Sequence, residues 1–435
     1  MCQETLWDTA TIQNMPLAQP PEYGARRSGG SGDLRHGNLT QILRYVRDHG
    51  ASSRHDIARG CGLGISTMTD LIGELRSRRL VRELDPIRRP GAGRPTRPIA
   101  FDGEPWCVLG VHLDLDHVEF AATTVGGREL WAETVPADLR DAGPEGYSRI
   151  AEQLRTQLQR IPDNQELIAL EIGVPGSIAA DRTTVSLSAN LGWRDFDLGA
   201  AVSATLKEAG IDRSFVGVSN ECQLSALYAT RVELPLPPDA IAAYLGGTRT
   251  LGSGLITNGE IFRGAWGGAG QFGHINVDPL GPTCWCGRSG CLESLIGPVA
   301  LLVNAKLVSG SEARQLVDQD PDKANLLVVE AAEAGEKQVD KVLGQAGSTL
   351  GGAIDDIIGA VNPHAVILGG YLGVLGPYLL PRLRERLVHR LTMPGFVDTQ
   401  ILAVEGLAPR TVKGATLAAR DACFYDPLAL TRPVN

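Results

Sequence analysis

One histidine and three cysteines form a dense group of metal-binding residue types in this sequence. They follow the order H-x9-C-x-C-x4-C and are His274, Cys284, Cys286 and Cys291. Imidazole and thiolate donors favour Zn²⁺, and four protein ligands fill its tetrahedral coordination without leaving a position for water. The spacing therefore predicts one structural zinc ion per chain. Gly287 and Gly290 would let the chain turn tightly enough for the sulfurs to converge.

A disulfide or redox pair formed by Cys284 and Cys286 is the alternative interpretation. A third cysteine and a histidine close by are better explained by a metal. Eight cysteines in 435 residues do not make a disulfide scaffold, and the N terminus lacks a secretory pattern, so we expect a reducing, cytoplasmic location. The other cysteines are expected to be ordinary core or surface residues: Cys2, Cys61, Cys107, Cys222 and Cys423.

The length and composition predict several folded units. A chain of 435 residues that is 43% hydrophobic and 21% charged can form more than one core. Stretches rich in Pro, Gly and Ser fill residues 1–33, where we expect a disordered tail. The predicted units are a head at 34–100, a first α/β lobe at 101–235, and a second lobe at 236–435 whose C-terminal segment could return to the first.

Residues 34–100 predict a winged helix-turn-helix. Apolar residues at i, i+3, i+4 and i+7 in NLTQILRYVRDHG indicate a first helix, SSRHDIARGCG begins a second, and ISTMTDLIGELRSRRLV forms a third after a glycine-containing turn. The following LVRELDPIRRPGAGRPTRPIAFD is typical of two strands joined by a basic loop, which is a wing. The buried stripe of the third helix is expected to be Met68, Leu71, Ile72 and Leu75.

The charge of this head differs from that of the chain as a whole. The net charge is -9, yet residues 76–97 hold eight arginines and two acidic residues. A local basic surface beside a helix-turn-helix favours DNA binding over protein contacts. Short polar side chains on the third helix would reach base edges in the major groove, and wing arginines would bind the minor groove and phosphates. The predicted DNA-binding residues are Ser66, Thr67, Thr69, Arg88, Arg89 and Arg94.

Residues after Pro105 predict a two-lobed α/β body. Strand and helix patterns alternate there, and mixed sheets flanked by helices are expected twice over, with a ligand cleft between them. Predicted strands include WCVLGVHL, LIALEIGV, SFVGVSN, AIAAYLG and HAVILGG, and LGSGLITNGEIFRG predicts a hairpin around Asn258-Gly259.

Several motifs of the body resemble the ROK family of sugar kinases and sugar-responsive repressors. The resemblance covers most of the chain and implies an actin-like, sugar-kinase-like fold. In the head, GRP at 93–95 resembles the wing of the family's repressors. The motifs that carry it in the body are GVPGS at 173–177, NLGW at 190–193, GGAGQFGH at 267–274, CWCGRSGCLE at 284–293, NPHAVILGG at 362–370 and GATLAA at 414–419.

The resemblance implies an effector site for a sugar or sugar derivative. Amide and carboxylate groups suit such a site because each hydroxyl both donates and accepts. Gln271 stands where the family has a glutamate, and Glu221 where it has the catalytic aspartate. The implied effector-binding residues are Asn190, Asn220, Glu221, Gln271, His274 and Glu293.

Three departures from the kinase pattern argue against phosphoryl transfer. The family's D-x-G-G-T phosphate loop reads His112–Asp116 here, its G-T-G loop reads Thr248–Thr250, and Glu221 replaces the aspartate. Phosphate loops need glycine for close backbone approach, and we expect the new carboxylates to face and repel the nucleotide's phosphates. We therefore predict no enzymatic activity and no catalytic residue.

The sequence hypothesis is a sugar-responsive transcriptional regulator, a repressor acting on double-stranded operator DNA as a homodimer or dimer of dimers. Lobe closure around the sugar would reach the head through the junction at 98–106. Two alternatives remain open. One is an active ROK sugar kinase that carries a DNA-binding head, and the other is a regulator whose effector is a protein.

Overall fold

The computed structural model describes residues 31–87, 96–140, 142–407 and 410–431. The N-terminal unit contains the three helices and two strands that the sequence predicts. Its first helix already begins at Ser31, inside the segment expected as a tail, and residues 1–30 lie outside the described ranges. The elements are α1 Ser31–His49, α2 Arg54–Cys61, α3 Ile65–Ser77, β1 Val81–Glu83 and β2 Ile99–Phe101.

Apolar stripes hold the three helices of the head together. Met68, Leu71, Ile72 and Leu75 of α3 are buried, as predicted, while the opposite face of the helix is exposed. Ser53 caps α2 by accepting a hydrogen bond from the Asp56 amide at 3.2 Å, which satisfies one of the free N–H groups at the helix start. Strands β1 and β2 pair antiparallel.

The first sheet of the body has its first strand in the middle. Strand β3 pairs antiparallel with β4, which pairs antiparallel with β5, and on its other side β3 runs parallel to β6 and β6 to β10. The strands are β3 Trp106–Leu113, β4 His117–Thr124, β5 Glu129–Pro136, β6 Glu166–Val174 and β10 Phe215–Asn220. Every residue of β3 is buried, as expected for a central strand.

The second sheet repeats this topology. Strand β11 pairs antiparallel with β12, β12 with β13, and β11 runs parallel to β14 and β14 to β15. The strands are β11 Ile241–Gly246, β12 Gly252–Thr257, β13 Glu260–Ile261, β14 Ala365–Leu368 and β15 Gln400–Ala403. The turn of the β12–β13 hairpin is Asn258-Gly259, with both residues at positive φ. The sequence prediction of two mixed sheets is confirmed.

A third, smaller sheet was not predicted. Strands β7 Ser177–Ile178, β8 Thr184–Ser188 and β9 Trp193–Asp197 pair antiparallel next to the first lobe. These strands are only two to five residues long, and so short a stretch gives a weak periodicity signal.

Helices surround the two sheets and form a block on the second lobe. Helices α4 (Tyr147–Leu158) and α5 (Leu198–Glu208) pack on each other beside the first sheet. The body helices are α4 Tyr147–Leu158, α5 Leu198–Glu208, α6 Glu221–Tyr228, α7 Leu292–Ile296, α8 Pro298–Asn304, α9 Gly310–Gln319, α10 Pro321–Glu333, α11 Lys337–Val361, α12 Gly370–Val374, α13 Gly376–Leu391, α14 Arg410–Ala422 and α15 Pro427–Leu430.

Helices α6 and α14 lie between the sheets. Helix α14 packs on α6 and on β3 and β6 of the first sheet, while α6 also contacts β11 and β12 of the second. Gly414 allows this close approach, because a Cβ there would lie 2.0 Å from the carbonyl oxygen of Leu224. Helix α14 therefore returns to the first sheet after the chain has completed the second sheet.

One hydrophobic core joins the head to the body. Buried head residues such as Leu39 and Leu75 share a cluster with Val108 and Ile168 of the first sheet and with Phe424, which follows α14. The contact between head and body is therefore broader than the 98–106 junction that the sequence predicted. Polar contacts reinforce it: the Trp106 indole donates to the Arg78 carbonyl at 2.9 Å, and Arg44 Nε donates to the Phe424 carbonyl at 3.0 Å.

None of the helices in the described part of the chain is both long enough and apolar enough to cross a membrane.

The shared core predicts that the head depends on the C-terminal segment for its stability. Phe424 is 3% exposed, so Phe424→Ala should lower the free energy of unfolding by about 3–5 kcal/mol. Urea unfolding followed by circular dichroism measures this change. Val388→Ala, at a site that is 50% exposed, is the control and should change stability by less than about 0.5 kcal/mol. Equal stability of the two variants would contradict a shared core.

Candidate effector and metal sites

The four predicted metal ligands converge. The donor atoms of His274, Cys284, Cys286 and Cys291 all lie within 4.8 Å of one another. Cys284 Sγ lies 3.7 Å from His274 Nδ1, and Cys286 Sγ lies 3.6 Å from Cys291 Sγ. Bonds of about 2.3 Å to sulfur and about 2.0 Å to nitrogen place tetrahedral ligands at such separations. The residues present therefore fit one tetrahedral metal ion.

Glycine shapes the loop that carries the cysteines. Gly287 and Gly290 both have positive φ, at 86° and 69°. A Cβ on Gly290 would lie 1.5 Å from the carbonyl oxygen of Asp278, so only glycine fits there. The amide of Val277 donates to the Gly290 carbonyl at 2.9 Å, which ties the two ends of the loop together. The predicted role of the two glycines is consistent with this geometry.

A tryptophan links the group of four predicted metal ligands, called the metal cluster below, to a predicted effector residue. The indole Nε1 of Trp285 donates to Glu293 Oε2 at 2.7 Å, and the Trp285 ring lies T-shaped against the His274 ring with 4.9 Å between centroids. Glu293 is buried, which raises the pKa of its carboxyl group, while the Trp285 hydrogen bond opposes that rise. Trp285 belongs to no set of functional residues predicted from the sequence.

Two predicted effector residues border the turn that follows β6. The Gln271 side-chain amide donates to Ser177 Oγ at 3.2 Å, and the Asn220 amide donates to the Gly176 carbonyl at 2.9 Å. Asn220 also caps α6 by accepting from the Cys222 and Gln223 amides. Asn220 and Gln271 thus contact the same turn, although 51 positions separate them in the sequence.

Asn190 lies in the turn between β8 and β9 and is exposed. Ser188, at the end of β8, donates through Oγ to the Pro175 carbonyl at 2.5 Å. The β8–β9 turn therefore adjoins the same segment as Gln271 and Asn220. The small sheet, which was not predicted from the sequence, positions Asn190 near the turn that follows β6.

Glu221 faces a buried histidine. His112 Nδ1 lies 2.7 Å from Glu119 Oε2, and its Nε2 lies 3.5 Å from Glu221 Oε2. Burial disfavours the imidazolium, but the hydrogen bond to Glu119 and the nearby carboxylate of Glu221 outweigh it and raise the pKa of His112 to about 10. The His112 imidazole thus lies between two carboxylates near the end of β3.

Arg249 joins the two lobes across the cleft. Its Nε lies 3.1 Å from Asp114 Oδ1 and its NH2 lies 2.9 Å from Asp116 Oδ2. Its NH1 donates to the Val317 carbonyl at 2.9 Å and to the Asp318 carbonyl. Asp114 and Asp116, which were expected to face a nucleotide's phosphates, line the cleft and pair there with Arg249. Their effect on a nucleotide stays a prediction.

The cleft around these residues has a volume of about 460 Å³. Its wall includes carboxylates from both lobes, while Arg249 and Arg410 supply the opposite charge. The acidic residues on the wall are Asp114, Asp116, Glu119, Glu221, Asp320 and Asp322.

A second buried carboxylate connects the first sheet with the loop between β13 and α7, residues 262–291, which carries Gln271 and is called the effector loop below. Glu171 on β6 is 0% exposed, and it accepts from Ser219 Oγ and lies 3.4 Å from Arg182 NH2. Arg263 NH2 lies 3.9 Å from Glu171 and donates to Ser219 Oγ at 2.9 Å. Arg263 precedes Gln271 in the loop after β13. This site could have been predicted from the glutamate within the apolar run LIALEIGV, because a buried charge requires a partner.

The predicted DNA-contacting residues of α3 are exposed. Ser66, Thr67 and Thr69 lie on the face opposite the buried stripe, whereas Arg88, Arg89 and Arg94 lie outside the described residues. Part of the basic charge of the head is used internally. Arg76 pairs with Glu83, and Arg78 donates to the Thr431 carbonyl.

Residues 108–421 match the family model described as the ROK family. A xylose repressor from Caldicellulosiruptor bescii is 26% identical over 373 residues, which cover 85% of this chain and 91% of that protein.

Two solved structures are similar to the whole chain or to its body. A ROK family transcriptional regulator, a homologue of the E. coli MLC protein, has a TM-score of 0.74 at 20% identity and covers 91% of this chain and 98% of its own. A ROK family glucokinase from Streptomyces griseus, solved with glucose and AMPPNP, has a TM-score of 0.57 at 24% identity and covers 72% and 99%. The regulator therefore matches a longer part of this chain than the glucokinase does.

The cluster geometry predicts that Cys286→Ser removes the metal. Wild-type protein should contain about one zinc ion per chain by mass spectrometry of the metal, because four ligands fill its coordination. Cys286→Ser should lose most of it and melt at a lower temperature. Ser289→Ala, an exposed site in the same loop, keeps all four ligands and should retain the metal. A metal-free wild type that has not been exposed to chelators would contradict a zinc site.

Proposed function

Because the chain belongs to the ROK family, we propose that it is a sugar-responsive, DNA-binding transcriptional regulator that acts as a repressor. The observation that carries this proposal is the helical head packed into one core with the ROK body, since a kinase needs no such head. The similarity to a xylose repressor over 85% of the chain supports it.

The head would act as a winged helix-turn-helix. Helix α3 would enter the major groove, where Ser66, Thr67 and Thr69 meet base edges, and the β1–β2 hairpin would serve as the wing. Arg88, Arg89 and Arg94 between its strands would bind the minor groove and phosphates. Such heads read two-fold sites, so the regulator would act as a homodimer or dimer of dimers. A cytoplasmic location remains a prediction.

The effector would be a sugar or sugar derivative bound near the ends of β6 and β10. Amide and carboxylate groups converge there from both lobes, as hydroxyl recognition requires. The proposed contacts are Asn190, Asn220, Glu221, Gln271, His274 and Glu293. The hydrogen bonds of Gln271 to Ser177 and of Asn220 to Gly176, in one turn, support this proposal.

A zinc ion would hold the effector loop in place. His274, Cys284, Cys286 and Cys291 would be its ligands, and the closed set gives the ion a structural role. His274 and Glu293 lie at the two ends of this segment, so a fixed metal would fix their spacing. When bound, the ion supplies rigidity and no reacting group.

The contacts in the cleft favour a sensor over a kinase. Arg249, on the segment that resembles the second phosphate loop, forms ion pairs with Asp114 and Asp116 on the segment that resembles the first. A nucleotide's phosphates would have to compete with Asp114 and Asp116 for the Arg249 guanidinium. Glu221, at the place of the family's aspartate, is near His112 instead of being free to act as a base.

Sugar binding would change DNA affinity through the core that head and body share. An effector can shift this equilibrium only if it binds one conformation of the body better than another. Charged contacts lie along the same interface: Arg231 pairs with Asp421 at 2.8 Å, and Asp421 lies 4.0 Å from Arg47 of α1. Arg231 also donates through Nε to the Gly259 carbonyl at 2.8 Å, in the hairpin that precedes the effector loop.

Fluorescence anisotropy tests this function. Full-length protein first selects a duplex from a random-sequence library, and its Kd for that duplex is then measured with and without D-xylose, D-glucose or N-acetyl-D-glucosamine. At least one sugar should change the Kd about tenfold, within the usual range of allosteric coupling. Gln271→Ala should bind the duplex as the wild type does and lose the sugar response.

Gln159→Ala, an exposed amide at the end of α4, is the matched control and should keep the sugar response. Failure to select any duplex would contradict the DNA-binding function. Selection of a duplex whose Kd no sugar changes would contradict sugar sensing and favour a protein effector.

A further inference from the structure

Trp285 is a large apolar residue kept on the surface beside a buried carboxylate. The side chain is 60% exposed, yet its indole N–H donates to Glu293 Oε2 at 2.7 Å. Burial of a tryptophan is normally favourable. A ring that turns its polar edge inward while much of the ring stays in water is available to a ligand that approaches Glu293.

The backbone around Trp285 is held on both sides. Cys284 and Cys286 flank it directly and belong to the metal cluster, and the Cys284 amide donates to the Arg288 carbonyl at 2.7 Å. The ring also contacts His274 at 4.9 Å between centroids. Its position is therefore set before any ligand arrives, which lowers the entropy lost on binding.

We propose that Trp285 is an effector-binding residue on which the apolar face of a pyranose ring stacks. This inference deepens the proposed function and depends on it. The C–H groups on one face of a pyranose carry partial positive charge, and the face of an indole ring is negative. Stacking at Trp285 would place the sugar's hydroxyl groups next to Glu293.

Glu293 can serve both partners at once. A carboxylate offers about four acceptor positions, and the Trp285 N–H uses one of them at Oε2. The remaining positions can accept hydroxyl hydrogens from a sugar. Trp285 would therefore select for ligands that combine an apolar ring face with adjacent hydroxyls, which excludes linear polyols and small anions.

A purely structural role for Trp285 makes a different prediction. If the residue only orients Glu293 through its N–H, phenylalanine and leucine should be equally poor replacements, because neither has that donor. If the ring stacks on the sugar, phenylalanine should be much better than leucine of similar hydrophobicity. The comparison of Trp285→Phe with Trp285→Leu separates the two roles.

Isothermal titration calorimetry of the full-length protein with D-xylose, D-glucose and N-acetyl-D-glucosamine makes this comparison. For a sugar that binds the wild type, Trp285→Phe should raise the Kd by no more than about threefold and Trp285→Leu by about tenfold or more. Leu280→Ala, at a site 96% exposed in the same loop, is the control and should bind as the wild type does. The zinc content of every variant is measured alongside and should equal that of the wild type.

Three outcomes overturn the inference. Equal affinity of Trp285→Leu and the wild type would show that the ring does not touch the sugar. Equal and large losses in both variants would assign Trp285 to orienting Glu293, and loss of zinc from both would assign it to holding the metal loop. Absence of sugar binding by the wild type would overturn the proposed function itself, and is thereby distinguished from failure of this inference alone.

Discussion

The ion pairs of Arg249 with Asp114 and Asp116 determine what the cleft between the lobes can do. All three side chains are largely withdrawn from water, and charges in such a place must be matched because desolvation is costly. The arginine comes from the second lobe and the carboxylates from the first, so their pairing fixes how closely the lobes approach. Asp114 and Asp116 belong to the segment that resembles the family's first phosphate loop, and Arg249 belongs to the segment that resembles the second.

The pairing continues deeper into the first lobe. His112 lies between the carboxylates of Glu119 and Glu221, and Glu221 begins helix α6, which lies between the sheets. Helix α14 packs on that helix, and Phe424 after α14 enters the core of the head. A continuous series of contacts thus runs from the charged groups of the cleft, through the two helices between the sheets, to the head.

Much of this architecture could be predicted from the sequence. The period of the apolar residues located the helices of the head, and the thiol and imidazole ligands located the metal cluster, because both signals are local. The two mixed sheets were also predicted. Strands β7–β9 were missed because two to five residues give too little periodicity. The resemblance to the family still identified Asn190, which these strands carry.

Pairings between distant residues could not be predicted in the same way. Arg249 and Asp114 are 135 positions apart, and the sequence analysis saw each as a separate loss of a phosphate loop. Only the folded chain shows that the positive charge of Arg249 neutralises the carboxylates of Asp114 and Asp116. Trp285 was overlooked for a similar reason, since its contact with Glu293 depends on the turn at Gly290 and not on a motif of its own.

The central claim is that the body binds a sugar without phosphorylating it. A coupled assay of ADP release, with the full-length protein, MgATP and each of D-xylose, D-glucose and N-acetyl-D-glucosamine, tests this claim most directly. The account predicts no ADP release above the rate without sugar, even for a sugar that changes DNA affinity. Sugar-dependent turnover that Arg249→Ala alters and heat-denatured protein lacks would contradict it.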